Sequence, residues 1–116
     1  MAQVIADRRD VDFVLHEQYE VGKLSVHEKF KAYTRKMIDM VVTESRNLSV
    51  KELLPTLKIG DQVGCRYEKG QVTTPEGLKH AWDLLVEGEW YAMDCSEKWG
   101  GQGMPSTVAL AANNYF

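Results

Sequence analysis

Hydrophobic positions recur along most of the chain at spacings of three and four residues, which is the period of a helix buried on one side. The clearest series is Val26, Phe30, Tyr33, Met37 and Val41, widened by Ile38 and Val42. Ser25 and Glu28 in front of it have the form of a capping box, so we expect this helix to begin at Ser25. A shorter helix is predicted between Asp10, as its cap, and Gly22.

The pattern leaves the end of the long helix open. Ser49 and Glu52 form a second capping box and favour a new helix at Ser49. No residue between 42 and 48 breaks a helix, however, so one long helix fits the sequence as well. In either version we expect helix to about Leu57 with a bend near Pro55, because proline removes a backbone donor and crowds the preceding turn.

The pattern changes between Gly60 and Thr74, where glycines alternate with short extended-looking segments and predict a small hairpin. Thr74 and Pro75 then predict a helix start, with threonine as the cap and proline in the first turn. The apolar face of this helix would be Leu78, Ala81, Trp82, Leu85 and Val86. Gly88 is expected to end it.

A glycine-rich loop spans residues 96–105, and a last helix is predicted from Pro105 to Phe116. The simplest interpretation of the loop is a tight connection between helices. The alternative is an anion cradle, since glycine amides and a helix N-terminus both favour phosphate. The loop matches neither a Walker motif, because no Gly-Lys-Ser/Thr follows it, nor a dinucleotide-binding fingerprint.

The last helix stays apolar up to Tyr115 and Phe116, with no glycine, proline or basic last turn to end it. An aromatic pair in that position would expose apolar surface to water. We therefore expect a truncated chain, whose helices bury their apolar sides against protein that lies outside it.

Composition is that of one globular domain, with 116 residues, 44% of them hydrophobic, and a net charge of −3. This charge provides no basic field for nucleic acid or an anionic membrane, and no apolar run approaches the length of a membrane span. Cys65 and Cys95 are expected to be buried or half-buried thiols in a cytoplasmic protein, although a disulfide stays open. The three histidines have no ligand spacing, so no metal is expected.

Three groups of residues together resemble a known family. They are Asp7 to Leu15; then Leu53-Leu54-Pro55, Gly60-Asp61, Gly64-Cys65-Arg66, Gly70, Val72-Thr73-Thr74-Pro75 and Gly77; and finally Trp99-Gly100-Gly101-Gln102-Gly103-Met104-Pro105 with Asn113 and Phe116. In this order and spacing they resemble the N-terminal region of the acyl-CoA dehydrogenases, in the branch of larger bacterial enzymes with an N-terminal extension.

The resemblance implies an all-α fold with one short hairpin, divided into an extension over residues 1–24 and a helical domain over 25–116. It also implies an FAD-dependent oxidoreductase that dehydrogenates acyl-CoA thioesters and passes electrons to an electron-transfer flavoprotein, in a homo-oligomer. The flavin site and the glutamate base belong to later parts of such enzymes, so we assign no catalytic and no cofactor-binding residue here. The alternative is a free-standing helical module for interaction or oligomerisation.

Candidate substrate-tunnel residues follow from the resemblance alone: Trp99, Gly101, Gly103 and Met104. The structural alternative is that Trp99 and Met104 pin the loop onto the core. By the same logic Trp82, Trp90, Tyr91 and Met93 are expected in the core, and His80 on the surface. Arg8 and Arg9 belong to a charge cluster that is either solvated or docks onto another domain.

Overall fold

A computed structural model describes residues 5–116, and these form an all-α fold with one two-stranded hairpin, as predicted. The helices are α1 (Arg8–Asp12), α2 (Arg35–Leu48), α3 (Leu54–Val63), α4 (Leu78–Glu87) and α5 (Ser106–Asn113). The strands are β1 (Arg66–Glu68) and β2 (Gln71–Thr73). Two π-helical turns, Phe13–Gln18 and Ser49–Leu53, continue α1 and α2. Short 3₁₀ turns cover Val21–Val26, Glu28–Phe30, Trp90–Ala92 and Glu97–Trp99.

The prediction that the long helix begins at Ser25 is wrong. Its N-cap is Thr34, whose hydroxyl accepts the amide of Met37 at 3.4 Å. Ser25 lies in a 3₁₀ turn, and its hydroxyl donates to the carbonyl of Gly22 at 2.8 Å. The turn folds back onto the start of α2, which places Val21 in the core and leaves Val26 80% exposed. Tertiary packing thus outweighs the local capping signal.

Of the two versions of the helix end, the continuous one is correct. Ser49 has helical dihedral angles and no capping hydrogen bond, and a π-helical turn leads directly into α3. The wider turn lies immediately before Pro55, where a regular helix would lose a hydrogen bond and crowd the proline ring. The helix then runs past Leu57 to Val63 and ends at Gly64, whose φ is 66°.

The hairpin between Gly60 and Thr74 is confirmed, although Gly60 itself lies in α3. Lys69 and Gly70 both have positive φ, as a two-residue turn with the right-handed strand twist requires. Thr74 is not the cap of α4, because Pro75 forms a turn and the helix begins after Gly77. Its end at Gly88 is as predicted.

The core lies mainly between α2 and α5. Its buried side chains are Leu15, Val21, Ile38, Val42, Met93, Met104, Val108, Ala109, Ala112 and Tyr115. Small residues at the contact, Ser45 and Ala112, are fully buried and let the two helices approach closely.

The final aromatic pair does not face water, contrary to expectation. Tyr115 is buried, and Phe116 is half-buried with its ring edge-on to Trp90 at 5.1 Å between centroids. None of the helices in residues 5–116 combines the length and apolar character needed to cross a bilayer.

Candidate functional site

The glycine-rich loop is held together by its own backbone. Each amide from Trp99 to Met104 donates to a backbone carbonyl, at 2.8–3.1 Å. Two of these bonds join the ends of the loop, from Gln102 to Ala92 and from Met104 to Met93. An anion cradle needs amides that point at the ligand. The cradle interpretation is therefore wrong for these amides, and the loop is a tight connection.

Position 101 must be glycine because the loop leaves no room there for a Cβ atom. A Cβ atom built on it would lie 2.2 Å from the carbonyl oxygen of Cys95, well inside van der Waals contact. Gly100 and Gly103 instead adopt positive φ, at 82° and 61°. The loop thus uses its glycines for close approach and for turning rather than for a ligand.

The structure separates the four candidate tunnel residues. Met104 is buried in the core, as the structural alternative predicts. Trp99 is 79% exposed and carries the Lys98 ammonium over its ring at 5.0 Å, so it does not pin the loop. Gly103 and Met104 line a cleft next to the loop, whereas Gly101 and Trp99 are not among its lining residues.

This cleft has a volume of about 670 Å³ and lies between residues 28–33 and 94–106. Its walls carry charged side chains, including Glu28, Lys31 and Glu97. At its edge the Tyr33 hydroxyl donates to the carbonyl of Gln102 at 2.9 Å. Burial, with a contribution from the Glu97 charge, raises the pKa of Tyr33, which keeps the hydroxyl a donor. The size suits a small ligand, but an acyl chain would need more apolar walls.

The structure also contains a cluster of polar and charged side chains that the sequence did not predict. It consists of Arg8, Asp12, His16, Asp39 and Thr43, and we refer to it as the Arg8 cluster. Arg8 donates to Asp12 and Thr43, each at 2.7 Å, and its guanidinium lies 3.6 Å from Asp39. Asp39 is also 2.7 Å from Nε2 of His16, whose side chain is only 4% exposed. The four-residue spacing of Asp12 and His16 places both on one helix face, which the sequence shows. Asp39 belongs to α2, and its proximity to them could not be predicted from spacing.

The Arg8 cluster has a metal-like donor set, because ligand atoms of Asp12, His16 and Asp39 lie within 4.8 Å of one another. The guanidinium of Arg8 already neutralises both carboxylates. We therefore interpret the cluster as a clamp that fastens the first helix to α2. Arg8 is therefore not simply solvated, since it is engaged within the chain. Docking of the two arginines onto another domain stays a prediction.

Several predicted burial states are wrong. Trp82 and Tyr91 are 60% and 66% exposed, and Cys65 and Cys95 are free, exposed thiols. As predicted, Met93 is in the core, Trp90 packs against the core, and His80 is on the surface.

The chain is similar over part of its length to a known enzyme. Over 60 residues the chain is 40% identical to a 3-methylmercaptopropionyl-CoA dehydrogenase of Ruegeria pomeroyi. The matched stretch covers 52% of this chain but only 10% of that enzyme. No protein-family model matches the chain. The similarity, together with the helical fold, supports an acyl-CoA dehydrogenase-like origin.

Proposed function

We propose that this chain is the N-terminal helical part of a flavin-dependent acyl-CoA dehydrogenase. The observation that carries the proposal is the 40% identity over 60 residues to an enzyme of that kind. The all-α architecture supports it. In this proposal residues 1–24 are an extension, residues 25–116 are the helical domain, and the remaining domains of the enzyme are its partners.

The proposed enzyme uses FAD to dehydrogenate an acyl-CoA thioester and passes electrons to an electron-transfer flavoprotein. FAD supplies the hydride acceptor when it is bound. The glycine loop does not fit the cofactor's pyrophosphate, because its amides from 99 to 104 are bonded to backbone carbonyls. We therefore assign flavin binding and proton abstraction to other parts of the enzyme.

This chain's own contribution is structural in the proposal. The loop fixes Met104 in the core and sets the start of α5 beside the charged cleft. Gly103 and Met104 stay the substrate-site candidates in the proposal, because they are the two of the four that line the cleft. Gly101 would act by keeping the loop closed, and Trp99 by contact with another domain.

A chimera tests the proposal. In the Ruegeria enzyme, the matched 60 residues are replaced by the corresponding residues of this chain. We expect the chimera to keep its flavin absorbance and its dehydrogenase activity within about tenfold, because a 40% identical segment preserves most packing positions. A second chimera with the same 60 residues in shuffled order is the control. Loss of flavin to the level of the shuffled chimera would contradict the proposal.

The alternative, a free-standing interaction or oligomerisation module, is favoured by one observation. Large apolar side chains are exposed along α3 and α4, including Leu57 and Trp82. The gene sequence that follows the codon for Phe116 distinguishes the two functions. Dehydrogenase sequence continuing in frame would favour the enzyme part, and an immediate stop codon would favour the module.

A further inference from the structure

Tyr115 carries a buried hydroxyl group that has no hydrogen-bond partner among residues 5–116. The residue is 6% exposed and belongs to the core cluster between α2 and α5. Burying a hydroxyl without a partner is unfavourable, because folding removes its hydrogen bonds to bulk water and returns none. The large majority of buried polar side-chain atoms in proteins bond either to protein or to ordered water. The Tyr115 hydroxyl therefore marks a place where a small polar ligand would be stabilising.

A second tyrosine at the same pair of helices provides a contrast. Tyr33 lies just before α2, and its hydroxyl donates at 2.9 Å to the carbonyl of Gln102, which lies shortly before α5. This bond joins the starts of the two helices directly. Tyr115 lies just past the other end of α5, and in residues 5–116 no protein atom bonds its hydroxyl. The two tyrosines therefore differ in whether the hydroxyl has a protein partner.

The surroundings of the Tyr115 hydroxyl are polar. Burial raises the pKa of Tyr115, and four charged side chains also act on this pKa. Guanidinium groups lower it and carboxylates raise it, in the order Arg8, Arg46, Asp12 and Asp7. These groups belong to the first helix, its cap and α2, so the hydroxyl lies near the junction of α1, α2 and α5. Because it bonds none of them directly, a gap separates them, and polar groups more than about 3.5 Å apart are often joined by an ordered water.

We propose that the junction of α1, α2 and α5 is a binding site for one buried water molecule, which bonds to the Tyr115 hydroxyl and to the Arg8 cluster. Water suits these neighbours better than an ion, because it can accept from a guanidinium or phenol and donate to a carboxylate. An anion would lie near Asp12, and a cation near Arg8. The water gives the end of α5 a polar attachment to the cluster that fastens α1 to α2. This inference does not require the dehydrogenase proposal, which rests on a different observation.

Tyr115→Phe tests the site through the sign of its effect on folding, measured by urea unfolding of the full chain. We expect the variant to lower the equilibrium constant for folding about three- to tenfold, because it removes a hydrogen bond between the hydroxyl and the water. A hydroxyl that binds nothing would give the opposite result. Phenylalanine would then leave the constant unchanged or raise it, since it buries no unpaired polar group, and the proposal would be overturned.

Two other tyrosines provide the controls. Tyr33→Phe removes a direct hydrogen bond, so it should lower the folding constant by a similar factor, about two- to tenfold. Tyr67 is 74% exposed on the hairpin, and Tyr67→Phe should change the constant less than about twofold.

Magnetic resonance detects the water without relying on a variant that must fold. In the unaltered chain we expect a cross-peak between Tyr115 and water with the sign of a long-lived complex, because a buried water exchanges slowly with the solvent. Oxygen-17 relaxation dispersion should count one long-lived water fewer in Tyr115→Phe than in the unaltered chain or in Tyr67→Phe. An absent cross-peak, or an equal count in Tyr115→Phe, would overturn the proposal.

Two measurements identify the ligand and its second contact. Replacing chloride by fluoride at constant ionic strength should leave the effect of Tyr115→Phe unchanged; an effect that disappears without chloride would make the ligand an anion and overturn the proposal. In the Arg8→Gln background, Tyr115→Phe should lower the folding constant less than about twofold, because the water has lost a contact in the Arg8 cluster. The same loss in both backgrounds would overturn the link to that cluster.

Discussion

At the scale of single residues, the glycine loop shows how one hydrogen atom in place of a methyl group decides a conformation. The loop closes because the backbone at Gly101 approaches that of Cys95, and Gly103 donates its amide to the same Cys95 carbonyl at 2.8 Å. Gly60 has the opposite surroundings, since a Cβ there would meet no atom within 4 Å. Alanine substitutions at these two glycines therefore make a matched comparison of a crowded and an open position.

Gly101→Ala should lower the free energy of unfolding by at least about 2 kcal/mol, because the new methyl group would overlap backbone atoms that cannot move without opening the loop. Gly60→Ala should raise it by about 0.5–1 kcal/mol, because alanine is the better residue within a helix. Urea unfolding at low protein concentration measures both. Equal effects of the two substitutions would contradict the close approach at Gly101.

For single residues, the sequence pattern is a poorer guide to whether a side chain is buried than to which face of a helix it lies on. It places Met93 correctly in the core, and of the two roles weighed for Met104 the structural one is confirmed. It fails for Trp82, which is on the predicted apolar face of α4 and yet exposed. An apolar helix face is buried only if another element covers it, and no periodicity along one helix records whether that element exists.

At the scale of elements, the Arg8 cluster is the polar link between the first helix and α2. Arg8 is the shared donor, with its side chain 25% exposed and its bonds reaching Asp12 and Thr43. Arg9, the next residue, has an exposed ion pair with Glu17 at 2.7 Å, and its guanidinium lies 5.8 Å from the centroid of the Phe13 ring. Adjacent arginines thus have different energetic roles.

Arg8→Gln should destabilise the chain by about 1.5–3 kcal/mol, because it removes charge-assisted hydrogen bonds and leaves Asp12 and Asp39 without their cation. Arg9→Gln is the control and should change stability by less than about 0.5 kcal/mol, as expected for an exposed ion pair. Thermal and urea unfolding report both values. If Arg9→Gln costs as much as Arg8→Gln, the clamp is not the link between these elements.

The elements themselves were mostly predictable and their boundaries were not. The hairpin follows from Lys69 and Gly70, and the end of α4 from Gly88, because both signals are local. The start of α2 does not follow from Ser25, because the preceding residues fold back as 3₁₀ turns to bury Val21. The Arg8 cluster also lay beyond the sequence pattern, since Asp39 meets His16 only after the chain folds.

At the scale of the whole molecule, stability is distributed unevenly. The buried residues belong mainly to the half that contains α2 and α5. In the half that contains α3, the hairpin and α4, the helices bury only Ala81, and every residue of the two strands is exposed. Few buried apolar contacts mean a low free energy of local opening.

Amide hydrogen exchange should reflect this difference. We expect amides of α2 and α5 to exchange at least about tenfold more slowly than those of α3 and α4 in dilute protein, because opening the core half requires near-global unfolding. Mass spectrometry of exchanged peptides measures it. Similar protection in both halves would contradict the uneven distribution.

The half that contains α3, the hairpin and α4 has a further consequence for how this sequence can vary. The side chains of Leu57, Val63 and Trp82 contribute little to folding of the chain, since water surrounds most of each of them. Polar replacements there would keep the helices and improve solubility. Folding alone therefore gives no reason for large apolar groups at these positions, whereas contact with something outside a single copy would.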